Sequence, residues 1–177
     1  MKKVCSLFAA ITLGCFISTG LFGQIGKIRT FNLSVGADVL YPENNFRKTH
    51  GWGYGATVKA EYVFAKHTSV TASTGLYSLA GKENILNPAG QNVLGIPVKL
   101  GGRYYLGNFY LGGDAGLLLQ SGFKKNEGVA YSFFLGDELI TGKNGNSLDI
   151  SIRHEAWVTD QTRAFVGLRL AYEFRLK

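Results

Sequence analysis

From about residue 30 onward the chain alternates apolar and polar side chains with a period of two, segment after segment, and helical spacing is not visible. The last segment is the plainest. Val166, Leu168, Leu170, Tyr172, Phe174 and Leu176 alternate with Gly167, Arg169, Ala171, Glu173 and Arg175. Between Ile96 and Leu106 the apolar set is Ile96, Val98, Leu100, Tyr104 and Leu106, with Lys99 and Arg103 on the other parity. Successive strand side chains point to opposite faces, so each such run is a strand with one apolar and one polar face. The pattern predicts eight strands, near Thr30–Tyr41, Trp52–Phe64, Ser69–Leu79, Asn92–Leu106, Phe109–Gln120, Val129–Ile140, Ser147–Trp157 and Arg163–Leu176.

The connections alternate in length. Ala65–Thr68 and Gly107–Asn108 are short, Pro42–Gly51 and Ala80–Gln91 are long, and Ser121–Gly128 is intermediate; Gly142–Asn146 and Val158–Thr162 blur the pattern. Eight strands with short turns at one end and longer loops at the other predict an all-β fold: an eight-stranded antiparallel up-and-down transmembrane β-barrel. An even count puts both termini at the periplasmic end. The rival is a soluble eight-stranded barrel of the lipocalin type, whose apolar face points inward.

Charge placement bears on that choice. Parity gathers Asp38, Lys59, Glu61, Lys99, Arg103, Asp114, Glu138, Asp149, Arg153, Glu155, Arg169, Glu173 and Arg175 on the polar face, six basic against seven acidic groups. The opposite face holds Asp137 and His154. Aromatics gather near strand ends on the apolar side. Phe31, Tyr62, Phe64, Tyr104, Phe109, Tyr172 and Phe174 lie toward one rim, and Tyr41, Trp52, Tyr54, Tyr131 and Phe165 toward the other. Two ring girdles are what a bilayer selects, because amphipathic rings favour the headgroup level. The lumen of an eight-stranded barrel is narrow enough for side chains to fill. Lone buried ions cost several kcal/mol each, so the thirteen lumen charges are expected to form a structural ion-pair network that plugs the barrel. A small solute pore is the alternative. Glycines at lumen positions, Gly53, Gly55, Gly75, Gly101, Gly112, Gly116 and Gly167, leave room for a narrow file of water.

The first residues read differently. Lys2 and Lys3 precede a fourteen-residue apolar stretch, Val4–Ile17, and small residues follow. This describes a secretory signal peptide and is too short for a comfortable transmembrane helix. Cleavage fits after Gly20 or after Gly23, the latter preferred, which divides the chain into a leader, 1–23, and a barrel domain, 24–177. Acylation at Cys15 is an alternative, with Thr12 where such signals prefer an aliphatic residue. Either late cut removes both Cys residues, leaving no thiol for a disulfide or metal site. Losing Lys2 and Lys3 lowers the formal charge from +7 to +5.

The segments Ile96-Pro97-Val98-Lys99-Leu100-Gly101-Gly102-Arg103-Tyr104-Tyr105-Leu106 and Gly167-Leu168-Arg169-Leu170-Ala171-Tyr172-Glu173-Phe174 resemble the small porin-like outer-membrane β-barrel proteins of Bacteroidetes. That resemblance implies a Gram-negative outer-membrane location, lipid contact, and insertion by the barrel-assembly machinery, which reads an aromatic-rich last strand. Many barrels end on Phe; this chain ends Phe174-Arg175-Leu176-Lys177, a departure that weakens the signal. A monomer is expected. Pro97 removes a ladder donor inside a closed sheet, so a bulge or strained register is expected near Ile96–Val98.

Little chemistry accompanies this pattern. His50, His67 and His154 are not at metal-ligand spacing, and neither a metal, a cofactor nor a catalytic residue is expected. His154 and Glu155 fall on opposite faces and cannot form a dyad. A lipid-modifying outer-membrane enzyme remains the enzymatic alternative, with lipid-facing His154 the residue to test, but the His-x-Ser pattern of lipid A deacylases is absent. Gly51-Trp52-Gly53-Tyr54-Gly55 lacks the Lys and the following helix of a phosphate-binding loop. Nucleic-acid binding is not expected either: the residual basic groups Lys27, Arg29, Lys66, Lys143 and Lys177 gather at one rim, where anionic lipid headgroups are the natural partner. The expected role is an integral envelope component whose loops serve adhesion or binding.

Overall fold

The computed structural model describes residues 29–83, 89–122, 126–140 and 144–176; the expected leader, 1–23, lies outside them. Eight strands form one closed antiparallel barrel in sequence order: β1 (Thr30–Pro42), β2 (His50–Ala65), β3 (Thr68–Gly81), β4 (Val93–Leu106), β5 (Phe109–Ser121), β6 (Glu127–Ile140), β7 (Ser147–Val158) and β8 (Thr162–Leu176). Every expected strand is present, with ends displaced by two residues at most. The addition is a short helix, α1 (Asn44–Thr49), in the first long loop. Its Phe46 is buried and inserts into the mouth of the barrel, and Thr49 Oγ1 donates to the Phe46 carbonyl at 3.2 Å.

Register fixes the shape. The row Phe31, Tyr62, Val70, Gly102, Gly113, Phe133, His154, Val166 runs once round the wall and returns to β1 at Tyr41, ten residues on. A stagger of that size tilts the strands by roughly 40°. A strand such as β4, 14 residues long, then rises roughly 35 Å along the axis. That exceeds the apolar band of about 25 Å that a membrane barrel requires. The start of β1, the end of β8 and the two shortest turns share one end, here the terminal rim; α1 lies at the opposite end, the loop rim.

The expectation about Pro97 needs correction. The β3–β4 pairs stop at Thr74–Val98 and resume at Tyr77–Gly95 in the same register, while Pro97 itself pairs with Leu118 of β5. The missing donor interrupts the ladder locally, and the eight-strand closure holds the register on both sides. Register shifts occur instead at the two ends of β2, between His50 and Gly53 and between Val63 and Ala65.

At the loop rim β7 and β8 are joined by a tight connection. Asp160 Oδ1 accepts from Thr159 Oγ1 at 2.8 Å and from Arg163 Nη1 at 3.1 Å. The Thr159 hydroxyl, with Arg163 next, holds this carboxyl at about 2, below its ordinary 3.8. A depressed folded value means the contribution is complete above the ordinary value and is lost as pH falls through about 2. In a carbon-detected titration the Asp160 carboxyl should therefore turn near pH 2, and Thr159→Val should move it upward; an ordinary midpoint in the unaltered protein contradicts the contact.

Candidate functional site

The polarity of the wall is that of a protein turned inside out. Leu100 and Leu117 on the outer face are each 71% exposed and Phe133 67%, while Arg103 is 1% and Glu155 0% exposed in the lumen. Apolar exposure continuous round a barrel far exceeds the few hundred Å² that soluble monomers tolerate, so the soluble lipocalin-type alternative does not fit. Outer rings mark both rims, among them Phe31, Tyr62, Phe64, Tyr104 and Phe174 at one and Trp52, Tyr54 and Tyr131 at the other. Phe165 is a correction. It was expected in the loop-rim girdle, yet it is fully buried in the lumen, because its parity is that of Arg163 and Arg169.

Toward the terminal rim, charges converge on Arg103. Its Nη1 lies 2.9 Å from Glu61 and from Glu138 and 3.6 Å from Glu173, and its Nη2 2.9 Å from Asp149. Tyr110 stacks beneath the guanidinium, 4.1 Å from centroid to Cζ, and donates its hydroxyl to Asp149 at 2.7 Å. The Tyr105 hydroxyl lies 2.7 Å from both Glu61 and Glu138, and Ser69 donates to Glu61. Carboxylate oxygens of Glu61, Glu138 and Glu173 fall within 4.8 Å of one another, a spacing that also suits a cation. Arg103 Nη1 sits among them and supplies the opposing charge. Arg169 binds Asp149 at 3.3 Å and spends its other donors on Thr57 and Ser34, each at 2.9 Å.

A second group lies nearer the loop rim. Lys99 Nζ bridges Glu155 at 2.7 Å and Asp114 at 3.1 Å. Arg153 meets Asp38 at 3.1 Å and Glu155 at 3.5 Å, with its guanidinium over the Tyr77 ring. Two of the thirteen expected network members take other contacts. Lys59 places its Nζ 4.5 Å from the Phe134 ring centroid instead of in an ion pair. Arg175 is half-buried at the terminal rim, where its main-chain N–H donates to Asn146 at 3.2 Å.

Above the charges stands an apolar storey that parity did not reveal. Leu40, Phe46, Tyr77, Leu79, Val93, Leu118, Ala130, Trp157 and Phe165 form one buried cluster across the loop end. Trp157 is the hinge between storeys, packing edge-on to Phe165 at 5.2 Å and donating its indole N–H to Glu155 at 2.8 Å. Rings stand close over two of the lumen glycines expected to leave room for water, Gly55 and Gly112, and over Gly95 besides. A Cβ on Gly55 would lie 2.3 Å from the Tyr77 ring, one on Gly95 2.3 Å from Trp157, and one on Gly112 2.5 Å from Phe134. Tyr77 and Phe134 reach their glycines from neighbouring strands, and Trp157 reaches Gly95 across the lumen from β7. Gly95→Ala is thus expected to cost roughly 1–3 kcal/mol by overpacking. Urea unfolding of the refolded barrel would show it, and an unchanged midpoint would mean the ring has room.

His154 and Glu155 do face opposite ways. His154 is 47% exposed on the lipid side, and its Nε2 lies 3.0 Å from Glu43 Oε2, a partner 111 residues away that spacing could not reveal.

The fold and its inverted polarity define an eight-stranded transmembrane β-barrel. Among solved structures it is similar to the outer membrane protein OprG of Pseudomonas aeruginosa, with TM-score 0.60 and 12% identity over 85% of this chain and 97% of that one. It is also similar to Ail, the attachment invasion locus protein of Yersinia pestis, with TM-score 0.55 and 15% identity over 84% and 100%. Neisserial surface protein A gives TM-score 0.54 and 13% identity over 83% and 96%. No protein-family model and no curated protein matches the sequence.

Proposed function

We propose that this chain is a monomeric, non-conducting outer-membrane barrel, an integral envelope component whose loop rim faces outward for adhesion or binding. The observation that carries the reading is the lumen: eleven charged side chains tied into ion pairs below a buried apolar cluster, inside a wall that is apolar outside. Outer-membrane neighbours of the same fold support the location, and one of them is named for attachment. Under this reading the terminal rim is periplasmic, the barrel-assembly machinery inserts the chain, and membrane lipids cover the wall. The likeness of segments 96–106 and 167–174 to small Bacteroidetes barrels belongs to the same reading. The site residues are structural, and His154 contacts a carboxylate instead of a hydroxyl nucleophile, which supports a non-enzymatic role.

Purification tests the membrane half directly. The detergent-solubilised barrel should run faster on gels unheated than after boiling, and should refold only into micelles or bilayers. A water-soluble monomer without detergent would overturn the proposal.

A further inference from the structure

The lipid-facing wall is not smooth. Across β5, β6, β7 and β8 it carries an open groove of about 460 Å³, bordered on the outer face by Leu111, Phe133, Leu135, Ile152, His154 and Val166. Two rows make its sides. Leu111, Leu135 and Ile152 are register neighbours nearer the terminal rim, and Phe133, His154 and Val166 are neighbours nearer the loop rim. All are apolar except His154, which sits in the upper row and meets Glu43 at 3.0 Å.

Immediately beyond that row the surface becomes basic. Tyr41 is the next residue after Val166 in register, and the Arg47 guanidinium lies 5.0 Å above its ring. Tyr41 in turn packs at a tilt against Trp52, 4.7 Å between centroids, and Lys82 Nζ donates to the Arg47 carbonyl at 3.1 Å. Lys48 follows Arg47 on α1 and is exposed. Glu43 and Glu83 are opposing charges here, and Glu43 is engaged by His154. An apolar trough in the hydrocarbon belt, topped by a ring pair and three cations, thus changes character within about two strand spacings, roughly 10 Å. That is the profile of one lipid: an acyl chain below, a phosphate above.

We infer that the groove and its basic upper border form a binding site for a single membrane lipid with an anionic phosphate headgroup. The acyl chain lies against Leu135, Ile152 and Phe133, and the phosphate meets Arg47 with Lys48 and Lys82 beside it. Glu43 and His154 stand at the junction as hydrogen-bonding partners for the glycerol or sugar region. This inference rests on the membrane placement proposed above, and the test separates the two, since heat-modifiable migration reports the barrel and lipid retention reports the site.

The barrel refolded into vesicles of mixed phosphatidylethanolamine and phosphatidylglycerol would be extracted in mild detergent and weighed by native mass spectrometry. One phosphatidylglycerol per barrel should be retained in preference to phosphatidylethanolamine. Arg47→Ala should weaken retention about fivefold, the equivalent of the roughly 1 kcal/mol that one basic residue contributes near an anionic surface. Leu135→Trp, which fills the trough from the lipid side, should abolish retention while heat-modifiable migration stays normal. Lys66→Ala, at the far rim, should change nothing. Equal retention of both lipids, or retention indifferent to Arg47→Ala and Leu135→Trp, would overturn the site. A mass of two barrels without bound lipid would also overturn it, by showing a second copy on this face.

Discussion

Arg103→Ala is expected to be the most damaging single change in the barrel. It removes the one group that touches Glu61, Glu138, Asp149 and Glu173 together, and leaves those carboxylates facing one another in a buried lumen. Breaking a buried pair by removing one partner costs about 3–5 kcal/mol, and here Glu61, Glu138 and Glu173 lose theirs at once while Asp149 keeps Arg169. Against a typical total of about 5–15 kcal/mol, the variant should refold poorly or unfold at much lower urea. Arg103→Lys should not rescue it, because an ammonium cannot span Nη1 and Nη2 contacts on different strands. Adding Glu138→Gln and Glu173→Gln to Arg103→Ala should recover part of the loss by removing two of the stranded charges. A midpoint for Arg103→Ala equal to that of the unaltered barrel would show that the network contributes nothing.

The second large effect belongs to the apolar storey. Trp157→Ala should cost roughly 3–5 kcal/mol, the range for deleting a large buried ring. The indole fills the space left by Gly95, packs on Phe165 and Tyr77, and gives Glu155 a donor at 2.8 Å. Trp52→Ala is the matched control, since that ring is 64% exposed toward lipid at the loop rim. Its loss should be clearly smaller in the same unfolding experiment. Equal losses for the two tryptophans would contradict a packed upper lumen.

The strands and the inward charges were legible because both are carried by parity. A period of two names the strand, and in a closed wall the charged parity has one place to go. Phe165, Trp157, Tyr77 and Leu40 were not legible as a group, because each is an apolar residue on the charged parity. Alternation sorts residues by face but not by height along the axis, so an apolar layer above an ionic one looks like scattered exceptions. The lumen glycines need register for a related reason. Gly55 and Gly112 are empty only within their own strand, and pairing shows that Tyr77 and Phe134 fill them from neighbouring strands. The contact between His154 and Glu43 depends on the first loop folding back to β8, where the Glu43 N–H donates to the Ala164 carbonyl at 2.9 Å. No local spacing carries that information. At Pro97 the ladder is interrupted where a disturbance was expected, but without a bulge, because register is held by the whole closed ladder.

The lumen as a closed, charge-paired interior is the claim on which the rest depends, and single-channel recording in a planar bilayer tests it most directly. With many inserted barrels, the account predicts a baseline without a stable open level under applied voltage. A steady, reproducible conductance step from the unaltered protein would contradict it.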